Sequence, residues 1–181
     1  METLASFVAN ASDSHHKSLE QDQVWIKLQL LDLDPIKIKL MLPREGEPLT
    51  RNEADELADR YRKFLYCADK HRATLIVPTR EIDKIWHLHI LDTDKYAKDC
   101  QHVFGYFMHH FPYLGLRSDG DENTRVAAFA ETERLYLELF DQAYNREPVN
   151  GSLCHSGLNN CSDDIHNSSL VRPTFESLGL N

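Results

Sequence analysis

Apolar residues recur along this chain at helical spacing. In "LEQDQVWIKLQLLDLD", Val24, Leu28 and Leu31 fall on one face with Trp25 alongside, which predicts a helix stopping before Pro35. The next stretch, "DPIKIKLML", alternates as a strand would, yet Asp34 as N-cap and Pro35 at the first helical position favour a short helix. After the loop "EGEPLT", Thr50 and Glu53 form a capping-box pattern that opens "RNEADELADRYRKFLYCAD". Leu57, Tyr61, Phe64 and Leu65 give that helix one apolar stripe. "KHRATLIVPT" reads as an extended link, because Pro78 biases Val77 away from helix. Thr79 or Arg80 starts the next helix, which runs through a tryptophan and two histidines to about Asp92. "TDKYAKDCQHVF" either continues it or begins afresh at Thr93, and Gly105 ends it.

"YFMHHFPYLGLRSDGDEN" reads as an aromatic loop punctuated by Pro112, Gly115 and Gly120. In "NTRVAAFAETERLYLELFDQAYN", Val126, Phe129, Leu135, Leu137 and Phe140 supply the buried side of a last helix. Residues 1–18 form a polar leader, 19–147 a helical domain, and 148–181 a Ser/Asn-rich tail with no period, expected to be disordered. Neither an internal repeat nor a sheet is expected. The fold class is mainly α: a compact multi-helix domain with an aromatic, histidine-rich loop and a flexible C-terminal tail.

A hydrophobic share of 41% is enough for a real core, and the formal net charge of −9 leaves no basic footprint for nucleic acid. No apolar run reaches the roughly 20 residues of a membrane helix, and no signal peptide pattern opens the chain. A cytoplasmic setting follows as the expectation, with Cys67 and Cys100 as buried thiols. Cys154, Cys161 and His166 match no tight zinc spacing.

Candidate chemistry concentrates in one place. Five of the ten histidines (His87, His89, His102, His109, His110) lie between Glu81 and Pro112. On a regular helix, His87 and His89 stand about 200° apart and cannot grip one ion. Asp83 and His87, spaced i,i+4, share a face and are natural partners for a divalent metal or for each other. A third ligand can come from His109 or His110 in the loop after Gly105. That set resembles the two-histidine, one-carboxylate arrangement of non-heme iron sites and also suits zinc. His89 joins it only where the helix unwinds. Trp86, Tyr96 and Cys100 fit packing roles, and His102 reads as exposed.

The run "EIDKIWHLHILDT", with the following tyrosine, "DC", "FG" and "HHFPYLG", resembles the region shared by glycine-rich domain-containing protein-like sequences. Asp83, Trp86, His87, His89, Tyr96, Cys100, Gly105, His110 and Pro112 occupy the positions of that pattern, and the resemblance extends over roughly residues 30–145. It implies a functional polar site around His87, His89 and the His109–His110 pair, and it names no reaction. The glycine-rich extension of the larger plant members has no counterpart in this sequence, so a role tied to it does not carry over.

Two functions are therefore expected to compete. One is a metal-binding helical protein holding zinc, iron or copper at Asp83, His87, His89, His109 and His110, with metal-dependent enzymatic activity on an unnamed substrate. The alternative is a non-enzymatic helical interaction module. Its His/Trp cluster would be structural, and its acidic surface would meet a protein or peptide partner. G-x-G-x-x-G, P-loop, G-x-S-x-G and H-E-x-x-H motifs are all missing from the sequence.

Overall fold

The computed structural model describes residues 19–43, 47–145 and 157–158. Within them the helices are α1 (Gln23–Gln29), α2 (Asp34–Leu40), α3 (Arg51–Lys70), α4 (Arg80–Leu91), α5 (Thr93–Val103) and α6 (Asp119–Phe140). A strand β1 (His110–Phe111) pairs antiparallel with β2 (Gly157–Leu158). The fold is all-α with almost no strand. The leader lies outside the described residues, as does the tail apart from Gly157 and Leu158.

Helix α3 is the central member and packs against α1, α2, α4 and α6. Its start is set by the expected capping box: Thr50 Oγ1 accepts from Glu53 N, and Glu53 Oε2 accepts from Thr50 N at 2.7 Å. Leu57, Tyr61, Phe64 and Leu65 are all buried, with Phe64 tilted against Trp86 of α4 at 5.6 Å between ring centres. Two local expectations shift. Asp34 is not the cap of α2 but its first residue, following Leu33. Helix α1 ends at Gln29, leaving Leu31 and Leu33 to bury outside it.

The face of α6 differs more. Val126 and Leu137, expected inside, are 53% and 52% exposed, whereas Asp121, Arg125 and Thr132 are buried together with Leu135, Tyr136 and Phe140. Polar groups occupy the inner face because they pin other chain segments. Asp121 Oδ2 accepts from the backbone N–H groups of Gly115 (2.7 Å) and Arg117 (3.2 Å). Gly115 sits at φ +89°, and a side chain there would run into Glu122 and Arg125. Thr132 Oγ1 accepts from Val77 N at 3.0 Å and donates to Ala128 O. An apolar-periodicity reading cannot find a helix face held by hydrogen bonds.

The link before α4 is held the same way. The buried Tyr144 hydroxyl donates to Val77 O at 2.8 Å and accepts from Thr79 N at 3.1 Å. Thr79 then caps α4 through its own side chain, which accepts from Ile82 N. Pro78 lies between these anchored residues, so the start of α4 is fixed from both sides.

Replacing Tyr144 with Phe strands a buried N–H and a buried C=O. The expected loss is about 1–3 kcal/mol of stability, read as a lower urea midpoint at unchanged m-value.

Candidate metal centre

Helix α4 ends at Asp92 (φ −87°, ψ 71°), and α5 starts at the next residue. The direction of α5 follows from two contacts. On an unbroken helix, residues ten apart stand about 15 Å from each other. Here Trp86 Nε1 donates to the Tyr96 hydroxyl at 3.0 Å, and His89 Nε2 lies 2.9 Å from Asp99 Oδ2. The helix therefore folds back on itself at Asp92, and of the two alternatives the fresh start at Thr93 is the one adopted, which sets Trp86 and Tyr96 face to face. The Tyr96 hydroxyl in turn donates to Met108 O, two residues before His110. One buried chain of hydrogen bonds thus links α4, α5 and the histidine loop.

The loop beyond Gly105 (φ +79°) is extended around β1, and its residues alternate. Met108 is fully buried, His109 exposed, His110 half-buried. Phe111 goes into a second small core with Val77 and Leu114. Anchored by Met108 on one side and Phe111 on the other, His110 faces α4 while His109 turns outward against Phe107. The alternation separates the paired histidines.

His110 meets the face of α4 that carries Asp83 and His87. Its Nε2 is 3.0 Å from Asp83 Oδ1, and His87 Nδ1 is 3.4 Å from Asp83 Oδ2. The imidazole rings of His87 and His110 are 4.5 Å apart between centres, and the Trp86 indole meets His110 edge-on at 4.3 Å. One ligand atom from each of Asp83, His87 and His110 lies within 4.8 Å of the other two. Ligand atoms around one zinc or iron ion stand about 3–4 Å apart, given metal–ligand distances near 2.0–2.2 Å. This donor set fits such an ion. Partial burial holds the His87 imidazole below its ordinary pKa of 6.5, against an opposing pull from Asp83, so its neutral, ligating form dominates at neutral pH. The side chain of His87 is 48% exposed and that of His110 only 7%, so the cluster opens to solvent on the His87 side.

Of the five expected ligands, the structure brings Asp83, His87 and His110 together and places His89 and His109 elsewhere. His89 is 2% exposed on the opposite side of α4. Its Nδ1 is 3.1 Å from the Tyr61 hydroxyl, and its Nε2 faces Asp99, which also accepts from Lys95 Nζ at 2.8 Å. An ionised carboxylate only accepts, so Nε2 carries the hydrogen and Nδ1 receives the Tyr61 proton. Burial lowers the His89 pKa, outweighing the pull of Asp99, and pushes that of Tyr61 far up. Both nitrogens are committed, which removes His89 from metal binding. His102 is exposed, as expected. Cys67 and Cys100 are free, buried thiols, and burial lifts the Cys67 pKa to about 12.

Three residues that position this site escape a reading by sequence spacing: Tyr61, Asp99 and Met108. Tyr61 looks like one more stripe residue, and Asp99 pairs with His89 across a helix break. Met108 acts through a backbone carbonyl, which no side-chain pattern can announce.

A family model described as UCP032817-like matches residues 33–131, more than half of the chain. The chain belongs to the UCP032817-like family. All three cluster residues and the Trp86–Tyr96–Met108 brace fall inside that family region. Glycine-rich domain-containing protein 2 of Arabidopsis thaliana is similar, 32% identical over 93 residues, covering 49% of this chain and 12% of that protein. The chain therefore corresponds to a small part of that relative. No solved structure gives a significant match. No helix among the described residues is long and apolar enough to cross a membrane.

His89→Ala leaves the Tyr61 hydroxyl and Asp99 without their buried partner. It is expected to lower stability by about 2–4 kcal/mol in metal-free buffer, measured by denaturant unfolding. The half-exposed His87→Ala should move stability by less than about 0.5 kcal/mol under the same conditions.

Proposed function

We propose that this domain binds a divalent transition-metal ion through Asp83, His87 and His110, leaving coordination positions open on the solvent side. The observation that carries the reading is the meeting of two imidazoles and a carboxylate from separate elements, α4 and β1, within one ion's reach. The set matches the two-histidine, one-carboxylate donor pattern and suits zinc, iron and copper alike. A bound ion with open positions would supply Lewis-acid or redox chemistry to a small molecule or water at the half-exposed edge. Asp83 would contribute the anionic ligand, His87 a ring with room to adjust at the surface, and His110 the ligand fixed by the core. The Trp86 indole shields one side of His110 from water. Metal-dependent enzymatic activity belongs to this reading, with the substrate left open.

A chelator should empty the site without unfolding the protein, because His87 stands nearly half in solvent and the main core is built of apolar side chains that need no ion. That separates an accessible, reactive ion from one on which folding depends. The competing module reading draws on His89, whose pairing is buried and complete. The two readings part at His87, which under the module reading stabilises the metal-free fold.

Untagged protein loaded with zinc and desalted should retain one equivalent by elemental analysis. His87→Ala, His110→Ala and Asp83→Asn should each weaken binding at least about 10-fold, while His109→Ala leaves it unchanged. Binding needs a neutral imidazole at His87, whose pKa burial holds below the ordinary 6.5. Affinity should therefore be full at neutral pH and fall as the pH drops below 6.5 and that ring takes up a proton. Protein that stays metal-free, with its melting temperature unmoved by zinc, iron or copper, would refute the proposal.

A further inference from the structure

Strand β1 is two residues long and carries the deepest member of the metal cluster. Its backbone partner comes from far along the chain: His110 pairs with Leu158, and Phe111 with Gly157, in antiparallel register. In a mainly helical fold this is the one two-stranded sheet among the described residues. It falls on the residue whose orientation completes the cluster.

We propose that the edge of β1 is a strand-addition site whose occupant is the chain's own segment at Gly157–Leu158, and that its docking is coupled to metal occupancy at Asp83, His87 and His110. The coupling half rests on the metal reading above, while the docking half does not.

The physical argument has three steps. An extended segment with a free edge presents unpaired N–H and C=O groups, and a second extended segment satisfies them by β-augmentation. The loop around His110 is anchored by the side chains of Met108 and Phe111 and by the Tyr96 bond to Met108 O. Those contacts fix where the loop sits but leave the edge of His110 and Phe111 available for pairing. Pairing then restricts the φ and ψ of His110, and with them the direction of its imidazole. A ligand held in its binding direction gives up less conformational freedom when the ion arrives. The docked tail therefore favours the metal, and by reciprocity the metal favours the docked tail.

So short a pairing is only marginally stable by itself. That suits a reversible strap, because a modest change at the cluster can move the balance between docked and free forms.

The test uses the full chain and Gly157→Pro, which removes the backbone donor opposite Phe111. Pro112 has no N–H, so in this register Phe111 and Gly157 are the pair that exchanges hydrogen bonds. Amide hydrogen exchange at Phe111 is followed in metal-free protein, then with zinc. In the wild type, that amide should exchange more slowly with zinc than without it. In Gly157→Pro it should exchange faster than in the wild type in metal-free buffer, with the amides of α3 unchanged. Zinc affinity of the variant should be lower by about 10-fold, near the low end of what outer supports of a ligand contribute. Equal exchange at Phe111 in wild type and variant, without metal, would overturn the docking. Faster exchange with unaltered zinc affinity would overturn the coupling while leaving the docked strand. A wild type that takes up no zinc would remove the metal reading and with it the coupling, and the metal-free exchange would still decide whether the tail docks.

Discussion

The Trp86 indole is fully buried, and its N–H must find an acceptor there, because a desolvated donor left alone costs as much as a lost hydrogen bond. The acceptor is the Tyr96 hydroxyl, which hands its own proton to Met108 O. That chain of donors can form only if α5 turns back on α4 at Asp92 and the following loop comes down over both. The reversal of the chain, the position of the loop and the approach of His110 to Asp83 follow from satisfying one indole. Phe64 and His110 then pack against the same ring, so the core and the cluster share a wall.

The two sides of α4 have opposite fates for a related reason. His89 faces inward, and both its nitrogens are taken, by Tyr61 and Asp99. Such a closed network fixes one arrangement of α3, α4 and α5 and offers nothing to a ligand. On the other face, His87 has only a 3.4 Å contact to Asp83 and nearly half its side chain in solvent. The histidine-rich run thus divides into a structural half and a half with spare coordinating capacity. Membership of the UCP032817-like family covers both halves.

Much of the fold was legible. The capping box at Thr50, the stripe of α3 and the start of α4 at Thr79 all appear where local rules put them, because caps and apolar periodicity are local physics, whereas the break at Thr93 was one of two open alternatives. The inner face of α6 was not legible. Asp121 and Thr132 are buried to satisfy backbone groups of distant segments, and such a pairing leaves no period in the sequence. The β1–β2 pairing was missed for the same reason: two backbone edges meet without a side-chain signature.

For the cluster, the sequence by itself determined that Asp83 and His87 share a helix face and that His87 and His89 do not, since 100° per residue leaves no other choice on a regular helix. It also offered His109 or His110, in the loop after Gly105, as the third member of the cluster. Which of His109 and His110 would arrive was decided only by tertiary structure. Neighbouring residues in an extended segment point to opposite sides, and the burial of Met108 and Phe111 determined which side faced α4. The committed state of His89 likewise depends on Tyr61 and Asp99, brought to it from a separate helix and across a reversal of the chain. Contacts of that kind arise from packing in three dimensions, and spacing along the chain does not encode them.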